Sequence, residues 1–318
     1  MTLARRLIGR SGIEVSVLGL GTMNFGSDWH GSGLVDEEGA RALLDVAAAA
    51  GVNLIDTADI YGYGAAETLL GRLLKGRRAD WVLATKVRAH MTPGDPASGG
   101  LSARHIAEGL DASLKRLRTD HVDLFMPHYP DPDVPLEESL EAFAKANRQG
   151  KARALGCSNF PPVDLARSLA WAAGKRPRFE FDQVQFSLAA PWAERELAPL
   201  CAEEGVSVLA WSPLGGGLLS GKYMGPSRPS GRRQDPGKAY PPLPEAGLGP
   251  VLELLKRVAV LEGVSMAQAA LGWVLGKPWV ASAVVGARTP EQLREILAAR
   301  PLSTKAQTLL DRAAAVLR

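Results

Sequence analysis

At 318 residues with 46% hydrophobic residues, the chain can bury a large core as one big α/β domain or two ordinary ones, which excludes a disordered or fibrous protein. Its formal net charge of +3, with Lys and Arg scattered among Asp and Glu, builds no basic stripe and argues against a nucleic-acid partner, while small anionic ligands stay open. The two cysteines, Cys157 and Cys201, fall in or beside apolar runs and outside any CxxC or zinc-type pattern, so they read as buried thiols in a reducing compartment.

The start, MTLARRLIGRSG, has no apolar stretch of signal-peptide length, and no later run approaches the ~20 apolar residues of a membrane helix. The expectation is a cytoplasmic protein without a membrane partner. Residues 5–16 predict a hairpin turning near Arg10 to Gly12. Short strand-like runs follow at 15–21, 52–56, 81–86, 122–126, 152–158, 181–185, 206–211 and 281–286. Between and after them, stretches of helical period occupy 36–50, 65–76, 101–117, 136–148, 161–173, 193–203, 250–262 and 289–299, and the tail 303–317 predicts one more helix. Eight βα units predict a (β/α)8 TIM barrel spanning 1–318 as a single domain, with an N-terminal β-hairpin and an extra C-terminal helix. A doubly wound sheet would open on a GxGxxG fingerprint, and here Asn24 stands where the third glycine belongs. The Gly/Pro/Arg-rich segment 212–248 breaks the alternation and reads either as a lid over a phosphate-bearing ligand or as a plain insertion.

In a barrel the active site forms where strands end. Asp56 and Tyr61 in LIDTADIYGYG, Lys86 in WVLATKV and His128 in HVDLFMPHYPD each end or closely follow such a strand. Together they read as one proton-transfer device. Carbonyl reduction needs a hydride on carbon and a proton on oxygen. Tyr61 is the candidate donor; a free phenol has a pKa of about 10 and parts with its proton readily only beside a cation that stabilises the phenolate. Lys86 is the candidate cation, and Asp56 the anion that keeps it charged and oriented. His128 hydrogen-bonds the substrate oxygen or assists the transfer, in a tautomer the sequence does not set. The alternative for any one of these taken alone is structural: an Asp56–Lys86 salt bridge and an exposed aromatic.

The segments DTAxxY, the strand-end Lys, LFxxH, GxSNF, QVQFS and WSPLGGGLLSGKY occur in one order, and in this the chain closely resembles the aldo-keto reductase superfamily over nearly its whole length. That resemblance implies a nicotinamide carboxamide held by Ser158, Asn159 and Gln183, with Trp211 stacking on the ring, although a Trp in a strand is also ordinary core. It completes the cofactor-binding set with Gly21, Thr22, Met23, Asp56, Ser212, Pro213, Leu214, Gly216, Lys222 and Gly286. The stretch Gly216 to Lys222 imitates a P-loop, but Tyr223 replaces the magnesium-binding Ser or Thr, so ATP hydrolysis is not expected. At the adenosine end, Arg288 beside the N-cap Thr289 and Pro290 suits a 2′-phosphate at a helix N-terminus, with Gln292 and Glu295 nearby. NADP(H) is therefore expected ahead of NAD(H), while Ile296, in place of the family's common asparagine, implies one adenine hydrogen bond fewer.

Substrate identity is less legible. Met23, Phe25, Trp29, Tyr129 and Trp192, with Tyr61 and His128, are candidates for an aromatic-walled pocket for an aldehyde or ketone, and packing explains each of the former five equally well. The expected activity is NADPH-dependent reduction of an aldehyde or ketone. The alternatives are a cofactor-bound regulatory protein of the same fold, or a non-redox barrel enzyme using Lys86 as a Schiff base. The histidines show no metal-site spacing, so no metal is expected; the oligomeric state is not set by the sequence.

Overall fold

The computed structural model describes residues 3–28, 34–92, 94–174, 177–224 and 247–317. An antiparallel hairpin, β1 (Arg5–Leu7) with β2 (Glu14–Ser16), precedes eight strands: β3 (Leu18–Gly21), β4 (Leu54–Asp56), β5 (Val82–Val87), β6 (Val122–Pro127), β7 (Ala152–Ser158), β8 (Phe179–Gln185), β9 (Ser207–Trp211) and β10 (Val280–Val285). Strands β3 to β10 close in sequence order into a parallel barrel, with β10 pairing both β9 and β3. The helices that follow the barrel strands are α1 (Glu37–Ala49), α2 (Ala65–Leu73), α3 (Ala103–Leu117), α4 (Leu136–Arg148), α5 (Pro162–Ala172), α6 (Trp192–Glu196), α7 (Ala198–Glu204), α8 (Leu248–Glu262), α9 (Met266–Leu275) and, after β10, α10 (Pro290–Leu297). A final helix, α11 (Thr304–Ala314), follows them, so the architecture is the expected (β/α)8 barrel with hairpin and extra C-terminal helix.

Alternation with a period of two decides what fills the barrel. Leu54, Val82, Ala84, Leu124, Met126, Ala154, Phe181 and Leu209 form one buried cluster with Ile8, Ile13 and Val15 of the hairpin, which stops the N-terminal mouth. Two residues further along the same strand faces come Asp56, Lys86, His128, Gln183 and Trp211. The inward face is thus apolar below and polar at the C-terminal rim. Gly156 lies on this face by necessity, because a Cβ there would sit 2.4 Å from the Phe181 ring. Arg6 pins the hairpin in place, donating to the Leu275 and Lys277 carbonyls at 2.7 and 2.9 Å and also to Val280.

Three elements differ from the sequence reading. The run 15–21 divides, its first part pairing with β1 and its second with β4 and β10. The helix expected over 193–203 is two helices, because Pro199 has no N–H for the bond that would continue the first. Helix α9 was not expected at all. Eight of its ten residues are buried, so it carries no amphipathic stripe, although its Ser265–Gln268 capping box is a readable start signal. Most of segment 212–248, at 225–246, lies outside the described residues.

Residues of the opposite parity face the helices. Asp182 on β8 is one, fully buried, with neither carboxyl oxygen in a well-formed hydrogen bond among the described residues. Burial pushes its carboxyl up to about 7. The neighbouring thiols are free and buried as read from the sequence, Cys157 raised well above the usual thiol range and Cys201 to about 12, both chiefly by burial. Since the unfolded carboxyl titrates near ~4, the Asp182 contribution to stability is complete below that pH and is lost as pH rises through about 7. The loss is on the order of a few kcal/mol. Asp182→Asn removes this titration, so urea unfolding at pH 5 and pH 8 should show the variant gaining on the native chain at the higher pH. Parallel pH dependences would exclude Asp182 as the source.

Candidate active site

The four residues expected to act together meet at the C-terminal rim. Lys86, 1% exposed, donates from Nζ to Asp56 Oδ1 and Oδ2 at 2.9 and 2.8 Å and to the Thr57 carbonyl at 2.7 Å. The same nitrogen lies 3.4 Å from the Tyr61 hydroxyl. Three donor directions of the ammonium are thereby occupied within a few residues of β4, and the fourth contact is the phenol. The His128 ring meets Tyr61 edge-on at 5.9 Å between centroids, and its Nδ1 is buried without a hydrogen-bond partner among the described residues. Burial, then the charges of Lys86 and Arg88, holds the His128 imidazole well below its ordinary range, so it is neutral near pH 7.

The residues read as the carboxamide site also brace one another. Gln183 donates from Nε2 to Asp56 Oδ1 at 2.7 Å, so it also braces the Asp56–Lys86 pair. Asn159 donates to the His128 carbonyl and to Ser158 Oγ, both at 3.0 Å, and accepts from the Trp211 indole N–H at 2.9 Å. Ser158 Oγ in turn donates to the Gln183 carbonyl at 2.9 Å. Asn159 and Ser212 hold left-handed backbone, φ 59° and 52°, a conformation that side chains other than Gly adopt at some cost and that is often found at working sites.

A cleft of about 640 Å³ runs from this group to the start of α10. Its walls include Gly21, Thr22, Met23, Asp56, Ser158, Asn159, Gln183, Trp211, Ser212, Pro213, Leu214, Gly216, Lys222, Gly286, Arg288, Gln292 and Glu295, together with Tyr61, His128 and Tyr129. Asn24, Gly217, Ser220, Ala267, Val284, Val285 and Ala287 also line it and were not named from the sequence as site residues, and Ile296, read from the sequence as lacking an adenine hydrogen bond, lines it too. Asn24 had a visible signal, a buried-strand loop amide, and it donates to the Ala287 carbonyl at 3.0 Å, tying two rim loops. Two expected pocket residues are elsewhere. Phe25, 1% exposed, is part of the core, and Trp192 packs against that core; neither lines the cleft, because apolar rings near a rim gain more by burial beneath it. Trp29 lies outside the described residues.

Cationic side chains and glycine turns line the cleft. Its volume is in the range of small-molecule sites. At Gly286 a Cβ would meet nothing nearer than the Gly21 carbonyl at 3.9 Å, so the space above that backbone is cleft. Lys222 folds over Gly217, whose added Cβ would sit 2.9 Å from the lysine Nζ, placing an amine on a glycine turn. Thr289 caps α10 by accepting from Gln292 N, and the Gln292 side chain accepts from Arg288 N at 3.0 Å, which fixes Arg288 at a positive helix end. Among the described residues, no group of three or more His, Cys, Asp or Glu could hold a metal ion, and no single helix is long and apolar enough to cross a membrane.

Fold and rim together define a (β/α)8 barrel protein with a buried Asp56–Lys86 pair beside Tyr61 and His128 at the inner end of a cleft of about 640 Å³. The family model of the Aldo/keto reductase family matches residues 17–315, and the chain belongs to that family. It is 37% identical over 317 residues to the uncharacterized oxidoreductase YrpG of Bacillus subtilis (strain 168), covering 95% of this chain and 92% of that one. It is also 34% identical over 308 residues to a putative voltage-gated potassium channel subunit beta of Schizosaccharomyces pombe, covering 91% and 86% respectively.

Proposed function

We propose that the protein reduces an aldehyde or ketone to the alcohol with NADPH, Tyr61 donating the proton. The observation that carries this reading is the single ammonium of Lys86 shared between the Asp56 carboxylate and the Tyr61 hydroxyl at the inner end of the cleft. Bound nicotinamide cofactor supplies the hydride. As negative charge grows on the carbonyl oxygen, Tyr61 transfers its proton there, and Lys86 stabilises the phenolate left behind. Asp56, itself held by Gln183, keeps the lysine charged and aimed. His128, being neutral, offers its ring as a hydrogen-bond partner to the substrate oxygen without competing as the acid. Tyr129 stacks on His128 at 5.3 Å and gives the cleft an exposed aromatic edge suited to an apolar substituent.

For the cofactor, Ser158, Asn159 and Gln183 would hold the carboxamide, Trp211 the ring face, Lys222 and the glycine turn the pyrophosphate, and Arg288 the 2′-phosphate. Aldo/keto reductases generally use NAD(P)H, and Arg288 at the α10 N-terminus favours the phosphorylated form. Titration of intrinsic fluorescence should therefore show quenching by NADPH at lower concentration than by NADH. Arg288→Ala should weaken NADPH roughly 10- to 100-fold and leave NADH nearly unchanged, as expected for one lost charged hydrogen bond. Quenching by neither nucleotide would sink the reading. The Schizosaccharomyces pombe relative bears the name of a channel subunit, which keeps a regulatory role as the second reading. Tight NADPH binding without oxidation of NADPH by any of a panel of small aldehydes would favour it.

A further inference from the structure

Tyr61 is carried by a turn with little intrinsic preference for its shape. Three successive residues after it, Gly62, Tyr63 and Gly64, hold left-handed backbone with φ of 58°, 51° and 90°. Helix α2 then starts after its N-cap Gly64, which makes no side-chain cap bond. Backbone bonds shape the turn, Tyr63 N donating to the Ile60 carbonyl at 2.9 Å and Ala65 N to the Gly62 carbonyl at 3.1 Å, and Asp59 N ties its start to the Lys86 carbonyl of β5 at 3.2 Å. Beyond Tyr61, a side-chain link to β5 would fix the far end of the turn.

The first turn of α2 supplies a candidate. Glu67 is fully buried, and its carboxylate accepts from Thr85 Oγ1 at 2.5 Å and from Arg116 Nε at 2.7 Å. Thr85 immediately precedes Lys86 on β5 and points to the helix side of the strand. Arg116, on α3, also donates to Ser113 Oγ at 3.0 Å and lies across the Tyr61 turn, where a Cβ on Gly64 would meet Arg116 Cδ at 2.7 Å. One carboxylate therefore links the strand of the lysine to a guanidinium that covers the turn of the tyrosine. Glu67 does not line the cleft.

We propose that Glu67, clamped between Thr85 and Arg116, is a positioning residue that sets the distance between the Tyr61 hydroxyl and the Lys86 ammonium. Asp59 completes the group. It is 1% exposed, accepts from Ile60 N at 2.6 Å through Oδ1, and has a buried Oδ2 without a partner among the described residues. Burial and the Glu67 charge push its carboxyl up to about 8, against the pull of Arg116 on α3 and Lys86 on β5. A neutral Asp59 leaves Glu67 and Arg116 as a balanced pair behind the turn, so the clamp holds through charge as well as shape.

The catalytic consequence rests on the reductase reading, but the test does not depend on it alone. The phenolate absorbance of Tyr61, taken as native protein minus Tyr61→Phe during a pH titration, reports the tyrosine–lysine contact without cofactor. In Glu67→Gln this titration should move to higher pH, because a phenol drawn away from the ammonium loses the charge that favours its ionised form. With NADPH and an aldehyde, kcat should fall roughly 10- to 100-fold, as expected for a misplacement of about an ångström, its alkaline limb should move the same way, and KM and NADPH affinity should stay close to native. A merely structural role would reduce turnover and NADPH sites in proportion and leave the titration where it was, and that result overturns the proposal. If Glu67→Gln does not fold, Thr85→Val removes one of the two bonds and should give a smaller shift in the same direction; an unmoved titration there overturns the proposal equally. Native protein that binds NADPH without turnover refutes the reductase reading alone, since the phenolate shift still decides the positioning role.

Discussion

Tyr61→Phe is expected to leave the NADPH titration unchanged and to lower turnover by roughly 10²–10⁴, the range lost with a general acid. The hydroxyl is the one group removed, and its Lys86 contact at 3.4 Å is the longest of the ammonium contacts, so the buried pair with Asp56 survives. The phenyl ring keeps its edge-on packing against His128 and its place over Lys86, 5.1 Å from Nζ to the ring centre. Steady-state oxidation of NADPH with a small aldehyde checks this. Unaltered turnover removes Tyr61 from the chemistry and transfers the role of acid to another group, for which the neutral His128 is poorly suited.

Lys86→Met should cost both activity and stability, and the two losses have different causes. The stability loss, about 3–5 kcal/mol, comes from Asp56, which is 3% exposed and would keep only the Gln183 amide of its present side-chain donors. A carboxylate stranded in this way takes up a proton more readily than in the unfolded chain. By linkage its contribution is complete at low pH and is lost as pH rises, so the variant should be less handicapped at pH 5 than at pH 8. Turnover falls at both pH values because the phenolate has lost its counter-charge. Adding Asp56→Asn should recover most of the unfolding free energy in urea without recovering turnover. If the double variant is no more stable than the single one, the loss lies in packing of the lysine stem and not in the unpaired charge.

The residues that these predictions concern were the most legible part of the chain. Each of Asp56, Lys86 and His128 ends a Val- or Leu-rich run, and in a barrel such positions converge whatever the helices between them do. Amphipathic helices such as α3 and α10 were equally readable, since half their surface faces water and leaves a stripe in the sequence. Helix α9 leaves none, being buried all round. The division of 15–21 between hairpin and barrel is invisible for a related reason: both parts are apolar, and only the partner strand tells them apart.

Local pattern, then, determined most of the order of strands and helices and the polar residues at the strand ends, because caps and short apolar runs act over a few residues. Closure of the barrel decided the rest. It set the Gln183 amide on Asp56, 127 positions away, placed Glu67 between Thr85 and Arg116, sank Phe25 into the core and packed Trp192 against it, when both had looked like pocket walls. Contacts of that kind depend on which strands become neighbours and how they register, and no short segment carries that information.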